Sequence, residues 1–248
     1  MPHSDRVAIV TGAGSGIGRA TALAFAAAGA RVLGVGRRRD ALAAVAGADG
    51  RIATLPADLR ADGAHQAVVD AAVDRWGRVD TVVNNAGATA LMPLSEATAA
   101  RIADLFSLNV TAPSLLARAA LPHLRRTRGS IVNVSSTYGH RPIPGAAHYA
   151  ASKAALEHLT RSWALELAAD HVRVNAVAPG PTASEALAAA GLPPDAVAAI
   201  EQDETARIPL GRRGEPAEIA RWILHLADPA ADWLTGQVLT VDGGLELT

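Results

Sequence analysis

Seven short apolar runs, separated by longer stretches of helical period, constrain this chain more than any other feature. They are VAIVT (7–11), RVLGVG (31–36), RIATLPADL (51–59), TVVNNAG (81–87), SIVNVSS (130–136), VRVNAVAPG (172–180) and QVLTVDG (237–243). Nearly all are apolar throughout rather than alternating, the pattern of strands covered on both faces of a parallel sheet. Helical candidates fill the intervals at 17–28, 38–46, 63–75, 95–124, 148–169 and 215–227. Alternation of strand and helix, joined by right-handed crossovers, predicts an α/β fold with a doubly wound parallel sheet of about seven strands. The alternation breaks once, at 181–213, a stretch helical in part but interrupted by Pro193–Pro194 and by glycines. An insertion that long in a compact domain reads as a lid over a site, at about 183–213. No linker, repeat or low-complexity tract divides the rest, so residues 1–248 read as a single domain that binds and reacts.

Composition excludes several function classes. A formal net charge of −1 leaves no basic footprint for nucleic acid or for an anionic membrane surface. The chain has no cysteine, which rules out disulfides, thiolate metal sites and cysteine nucleophiles together. No apolar run is long enough to span a bilayer, and MPHSDRVAIVTG runs straight into a strand without a basic-then-apolar leader. The expectation is a soluble, cytoplasmic protein with no metal, nucleic-acid or membrane partner.

The stretch TGAGSGIG (11–18) follows the first strand and opens a helix. A glycine-rich turn there lets backbone approach a pyrophosphate and points helical N–H groups at it. The spacing is G-x-x-x-G-x-G, with Gly12, Gly16 and Gly18, in a Rossmann-like first βα unit. The second strand ends VGRRRD. An NAD site usually places an acidic residue there to accept from the ribose 2′-OH; here stand Gly36 and then Arg37. With no carboxylate to repel a 2′-phosphate and an arginine to pair with it, NADP(H) is favoured over NAD(H). A solvated turn is the other reading of Arg37.

Of the 23 basic side chains one alone is lysine, Lys153, and one of the two tyrosines, Tyr149, stands four residues before it in HYAASKAAL (148–156). On a helix the pair shares one face. A phenol of pKa about 10 is a poor acid–base catalyst at neutral pH, and a neighbouring cation lowers that value. A compact ammonium with three free donors can face the phenol and grip two ribose hydroxyls together, which a planar guanidinium cannot.

With Asp58–Leu59 after the third run, NNAG (84–87) after the fourth and Ser135–Ser136 ahead of the tyrosine, the TGxxxGxG and YxxxK motifs resemble the short-chain dehydrogenase/reductase family. The likeness runs down to LTGQVLTVDGG (234–244) and is similar to 3-oxoacyl-carrier-protein reductase-like members. It implies that the Asp58 carboxylate meets the adenine amino group with the Leu59 backbone close by. Asn85 then lies near the adenine ribose, and the 84–87 turn, with Ala86 and Gly87, steadies the central sheet. The other reading of Asp58 is a helix N-cap. Ser15 and Ile17 complete the glycine turn, although Ser15 stands where NADP-preferring relatives often carry a second basic residue. Ser136 matches the catalytic serine that binds the substrate carbonyl oxygen. Asn109, in LFSLNV, matches the asparagine that holds a water linking the lysine to solvent. Pro179, Gly180 and Thr182 match a motif near the nicotinamide carboxamide, with threonine where isoleucine is frequent. The family also implies a homotetramer, pairing helices around 100–120 and 150–168 across one interface and the C-terminal region across another.

The expected function is therefore hydride transfer between NADP(H) and a carbonyl or secondary alcohol, with Asn109, Ser136, Tyr149 and Lys153 as the catalytic set. A ketoreductase leads, and an NAD-dependent secondary-alcohol dehydrogenase is the alternative. A non-catalytic dinucleotide-binding regulator is a third reading, disfavoured because a sensor needs no proton relay. Substrate choice falls in 88–93, 137–148 and 183–210, where Tyr138, His140, His148 and Glu185 are the polar candidates.

Overall fold

All seven runs form one parallel sheet, in the order β3-β2-β1-β4-β5-β6-β7. The strands are β1 Val7–Thr11, β2 Arg31–Gly36, β3 Ile52–Pro56, β4 Thr81–Asn84, β5 Ser130–Val134, β6 Arg173–Pro179 and β7 Val238–Val241. This computed structural model describes residues 3–184 and 191–248. The helices are α1 Gly16–Ala27, α2 Arg39–Ala46, α3 Ala64–Trp76, α4 Ala99–Phe106, α5 Ala112–Thr127, α6 Ala147–Glu166, α7 Pro194–Arg207 and α8 Pro216–Ala227.

The unbroken apolar runs have a simple cause. Val7 and Ile9 of β1 enter a core layer with Val68, Val69 and Leu116, while Ala8 and Val10 enter the opposite layer with Phe25, Ile219 and Ile223. Each of the larger of these side chains contributes about 1.5–3 kcal/mol on burial, and neither face of the strand can carry a polar residue cheaply.

The expected helix at 95–124 is divided. Thr98 caps α4 by accepting from the Arg101 N–H at 3.3 Å, and a π-helical turn, Ser107–Thr111, separates α4 from α5. Pro113 explains the interruption: it has no N–H to give the Asn109 carbonyl, and its ring crowds that carbonyl in a regular α-turn. Pro193–Pro194, expected as a break, instead opens α7, since proline suits a first helical turn.

Chain order reverses between β1 and β4, which opens a crevice at their C-terminal ends. Thr11 closes its floor. Its hydroxyl donates to Val83 O at 3.1 Å and accepts from the Asn85 and Ala86 N–H groups, both at 2.9 Å. A buried amide chain stiffens the neighbouring strands: Asn84 donates to Asn133 Oδ1, and Asn133 to Thr160 Oγ1, each at 2.8 Å.

Candidate active site

The glycine turn lies at the crevice. Gly12 has φ +69, and a Cβ there would stand 2.7 Å from Asn85 Nδ2. A Cβ on Gly18 would collide with the Gly12 carbonyl and the Asn85 amide, so this glycine lets α1 start against the end of β4. Ser15 is the extended N-cap residue of α1, and no acidic side chain occupies the first turn. That helix end can therefore meet an anion with its own N–H groups. Gly16 has φ +50, and a Cβ on it would stand 3.6 Å from the Ser184 Cβ, so the chain after Thr182 passes over the turn. Ile17 packs against the core.

Gly36 ends β2 with its Cβ position 4.0 Å from the Gly14 N, and Arg37 follows, exposed. After β3, Leu59 is buried and the Asp58 carboxylate is largely open, accepting from the Arg60 N–H at 3.0 Å. Asp58 is thus not a helix N-cap. It caps a turn, and α3 begins after Gly63.

Four residues from three places in the chain converge beyond this turn. Ser136 follows β5, is 7% exposed and accepts from the Tyr138 N–H at 3.3 Å. Tyr149 and Lys153 project from α6, with Lys153 Nζ 5.9 Å from the Tyr149 ring centroid. The Ser136 hydroxyl lies near enough to the Tyr149 phenol to draw its pKa down. Lys153 donates to the Val134 carbonyl at 2.9 Å and is 5% exposed. Gly87 fits between Lys153 and Asn109: a Cβ on it would stand 3.3 Å from Lys153 Nζ and 3.2 Å from Asn109 Oδ1. Asn109, in the π-turn, is buried, but its bonds are distant in sequence rather than local. Its Oδ1 accepts from the Ala88 N–H at 2.9 Å, and its amide donates to Ala88 O and Ser152 Oγ at 2.9 and 3.0 Å.

The electrostatics depart from the sequence reading in one respect. Burial raises the Tyr149 phenol above its ordinary value, against a downward pull from Ser136. Lysine was expected to lower it. Instead Lys153 turns its ammonium to the Val134 carbonyl, and burial brings its own pKa down to about 8, with Glu157 opposing. In the protein alone the phenol is therefore held as an acid.

Two of the proposed substrate residues share a cleft. Tyr138 and His140 both line a cavity of about 630 Å³, with Arg141, Ile143, Arg207 and Glu246. His140 is also held between Glu157 at 3.1 Å and Glu246 at 2.8 Å. His148 is half-buried, and its Nδ1 has no hydrogen-bond partner among the described residues. Glu185 lies outside the described residues. Pro179 ends β6, and a Cβ on Gly180 would strike Asp242. The Thr182 hydroxyl donates to the Gly180 carbonyl at 2.9 Å. The 183–213 segment is closed at its base by a Thr182–Gly214 bridge and by Arg213, which donates to Thr182 O at 3.0 Å.

Two side chains went unread in the sequence. Ser152 links Asn109 to the Tyr149 carbonyl, and Glu157 lies buried one helical turn beyond Lys153. The four-residue spacing Tyr149, Lys153, Glu157 was the available signal for the second.

The family model described as enoyl-(acyl carrier protein) reductase matches residues 12–246. An uncharacterised oxidoreductase of Mycobacterium tuberculosis is 42% identical over 97% of this chain and 92% of its own. A 3-oxoacyl-(acyl-carrier-protein) reductase of Thermotoga maritima is 38% identical, covering 99% of both chains. Among solved structures, a short-chain dehydrogenase/reductase of unknown function from Caenorhabditis elegans, crystallised with cofactor, superposes with a TM-score of 0.93 at 32% identity. It covers 100% of this chain and 97% of that one.

Proposed function

The chain belongs to the short-chain dehydrogenase/reductase family and is an oxidoreductase acting on CH–OH/C=O groups, and from that premise we propose an NADP(H)-dependent ketoreductase. The observation that carries this reading is the convergence of the buried Ser136, the Tyr149 phenol and the buried Lys153, whose Nζ stands 5.9 Å from the phenol ring centroid. Both hydroxyls can reach one carbonyl oxygen. Ser136 donates to it as charge develops, and Tyr149 gives it the proton. Lys153 spends one donor on Val134, so its others can hold ribose hydroxyls and steady the phenolate left behind. Asn109 stands across Gly87 from Lys153, and in this reading it would hold the water that returns the proton.

The residues fit a dinucleotide. A nicotinamide cofactor supplies or accepts the hydride when bound. Gly12, Ser15, Gly16, Ile17 and Gly18 would hold its pyrophosphate, and Asp58 and Leu59 its adenine. Asn85, Ala86 and Gly87 would line its middle, and Pro179, Gly180 and Thr182 its carboxamide end. Arg37, exposed beside the glycine turn, would pair with a 2′-phosphate. Ser15 in place of a second basic residue favours the alternative, an NAD-dependent secondary-alcohol dehydrogenase.

The same reading makes 183–213 a lid and the protein a cytoplasmic homotetramer. Its support is Leu165 of α6, 83% exposed, and Trp233 and Leu247 near the C-terminal end, 99% and 84% exposed. Among the described residues no helix is long and apolar enough to cross a membrane.

NADPH and NADH oxidation against a panel of ketones, β-ketoesters and quinones tests the proposal. We expect kcat/KM for NADPH to exceed that for NADH by about tenfold or more, and a ratio below one overturns the cofactor assignment. Tight cofactor binding without turnover of any panel member would return the regulator reading.

A further inference from the structure

Glu157 is a buried acid that the proton transfer above does not use. It is 3% exposed on α6. The Ser135 hydroxyl donates to its Oε1 at 2.8 Å, with the Lys153 carbonyl 3.2 Å away. His140 Nδ1 stands 3.1 Å from the same oxygen. Ser135 and His140 bracket the turn that contains Ser136. The turn is shaped around the carboxylate: a Cβ on Gly139 would collide with it. Gly139 has no left-handed φ, so glycine is needed there for space alone.

The charges around Glu157 come from every neighbouring element. Lys153 and Arg161, the latter at 4.0 Å, share its helix. His140 comes from the β5–α6 connection and is held in turn by Glu246 beyond β7, with Thr240 Oγ1 3.4 Å away. Asp242, after β7, accepts from Thr137 of the same turn at 3.2 Å. We propose that Glu157 is a positioning residue: its carboxylate ties the turn carrying Ser136 to the helix carrying Tyr149 and Lys153, and sets the charge that the lone lysine faces. The proposal rests on reading Tyr149 and Lys153 as the proton-transfer pair. Burial pulls His140 down, yet the two carboxylates outweigh it and hold the imidazole above its ordinary pKa, which suits a cation closing the outer side of the network.

Because Lys153 is the only lysine, protein isotope-labelled at the lysine Cε gives one side-chain resonance whose pH titration reports this residue without any turnover. Wild type is expected to titrate at about 8. Glu157→Gln should lower the midpoint by about one unit, and Glu157→Asp, with its carboxylate drawn back, should fall between. Equal midpoints in wild type and Glu157→Gln, or equal shifts in the Gln and Asp variants, overturn the charge role. If the Gln variant does not fold, Glu157→Asp is compared with wild type alone, and an unmoved midpoint overturns it. For the anchoring role, Ser135→Ala and Glu157→Gln should each lower kcat about tenfold with KM for NADPH within about twofold. A kcat within about twofold of wild type in both overturns that role. Absence of turnover in wild type would defeat the ketoreductase reading while leaving the lysine titration to decide the charge role.

Discussion

Asp80 and Lys153 sit at opposite ends of the same sheet, both almost out of reach of water, and they are treated differently. At the N-terminal ends of β1 and β4, Asp80 is fully buried and closed on all sides. It accepts from the Val7 N–H at 2.9 Å and from Arg78 at 2.8 and 2.7 Å, and Arg6 stands at 3.6 Å. At the C-terminal ends Lys153 donates to one strand carbonyl, and around it stand a phenol, a serine hydroxyl and a glycine kept bare. A closed network spends its charge on stability, whereas an open one in a low-dielectric crevice keeps charge for a ligand. The first end should therefore fail in folding and the second in chemistry.

Tyr149→Phe breaks the open end most severely. Removing the proton donor should cost about 10³ in kcat, while the thermal midpoint and NADPH affinity stay near wild type, because the phenol makes no bond that the fold needs. Steady-state kinetics with parallel cofactor titration checks this. Retention of about a tenth of wild-type kcat would refute the assignment.

The same end should be pH-sensitive. Lys153 is active as an ammonium and its pKa is lowered to about 8. The charged form persists below that value and is lost above it, so kcat for reduction should hold below pH 8 and fall about tenfold per unit above it. A profile flat to pH 10 would remove Lys153 from the relay.

Asp80→Ala tests the closed end. It leaves the Val7 N–H buried without an acceptor, and Arg78 and Arg6 turn to solvent. The expected loss is about 2–3 kcal/mol, or about 5–10 °C in Tm for a chain this long. The kcat at 25 °C should stay within about twofold of wild type. A large drop in kcat with unchanged Tm would mean the two ends are not separate.

This contrast also marks what could be read from residues alone. The runs at 7–11 and 31–36 are β1 and β2 to the residue, because burial on both faces writes itself into local sequence. Gly12 and Gly18 were legible for a related reason: backbone crowding demands glycine whatever the distant contacts are. The π-turn at 107–111 was not, since it follows from one proline inside an otherwise regular helical pattern. Nor was the pairing of His140 with Glu157 and Glu246, which joins positions separated by 17 and 106 residues. The upward Tyr149 shift in the protein alone was not legible either, since spacing showed the cation but neither the burial of the phenol nor the Val134 carbonyl that draws the ammonium away.

The smallest expected effect lies away from both ends, at the start of α8. Glu215 and Glu218 form a capping box, in which Glu218 accepts from the Glu215 N–H at 2.8 Å while Arg212 grips it at 2.7 and 2.8 Å. The hydrogen bonds from Arg212 and then from the Glu215 backbone bring the Glu218 pKa down to about 2. A depressed acid contributes stability that is present above its unfolded pKa of about 4.5 and is lost as pH falls through 2. Both partners face solvent, which screens the pair, so Glu218→Gln should cost only about 0.5–1 kcal/mol at neutral pH. The loss should appear as a Tm lower by about 1–3 °C at pH 7, narrowing as pH falls toward 2, where about half of the wild-type carboxylate is protonated. An equal Tm difference at pH 7 and pH 2 would show that the glutamate acts through packing and not through its charge.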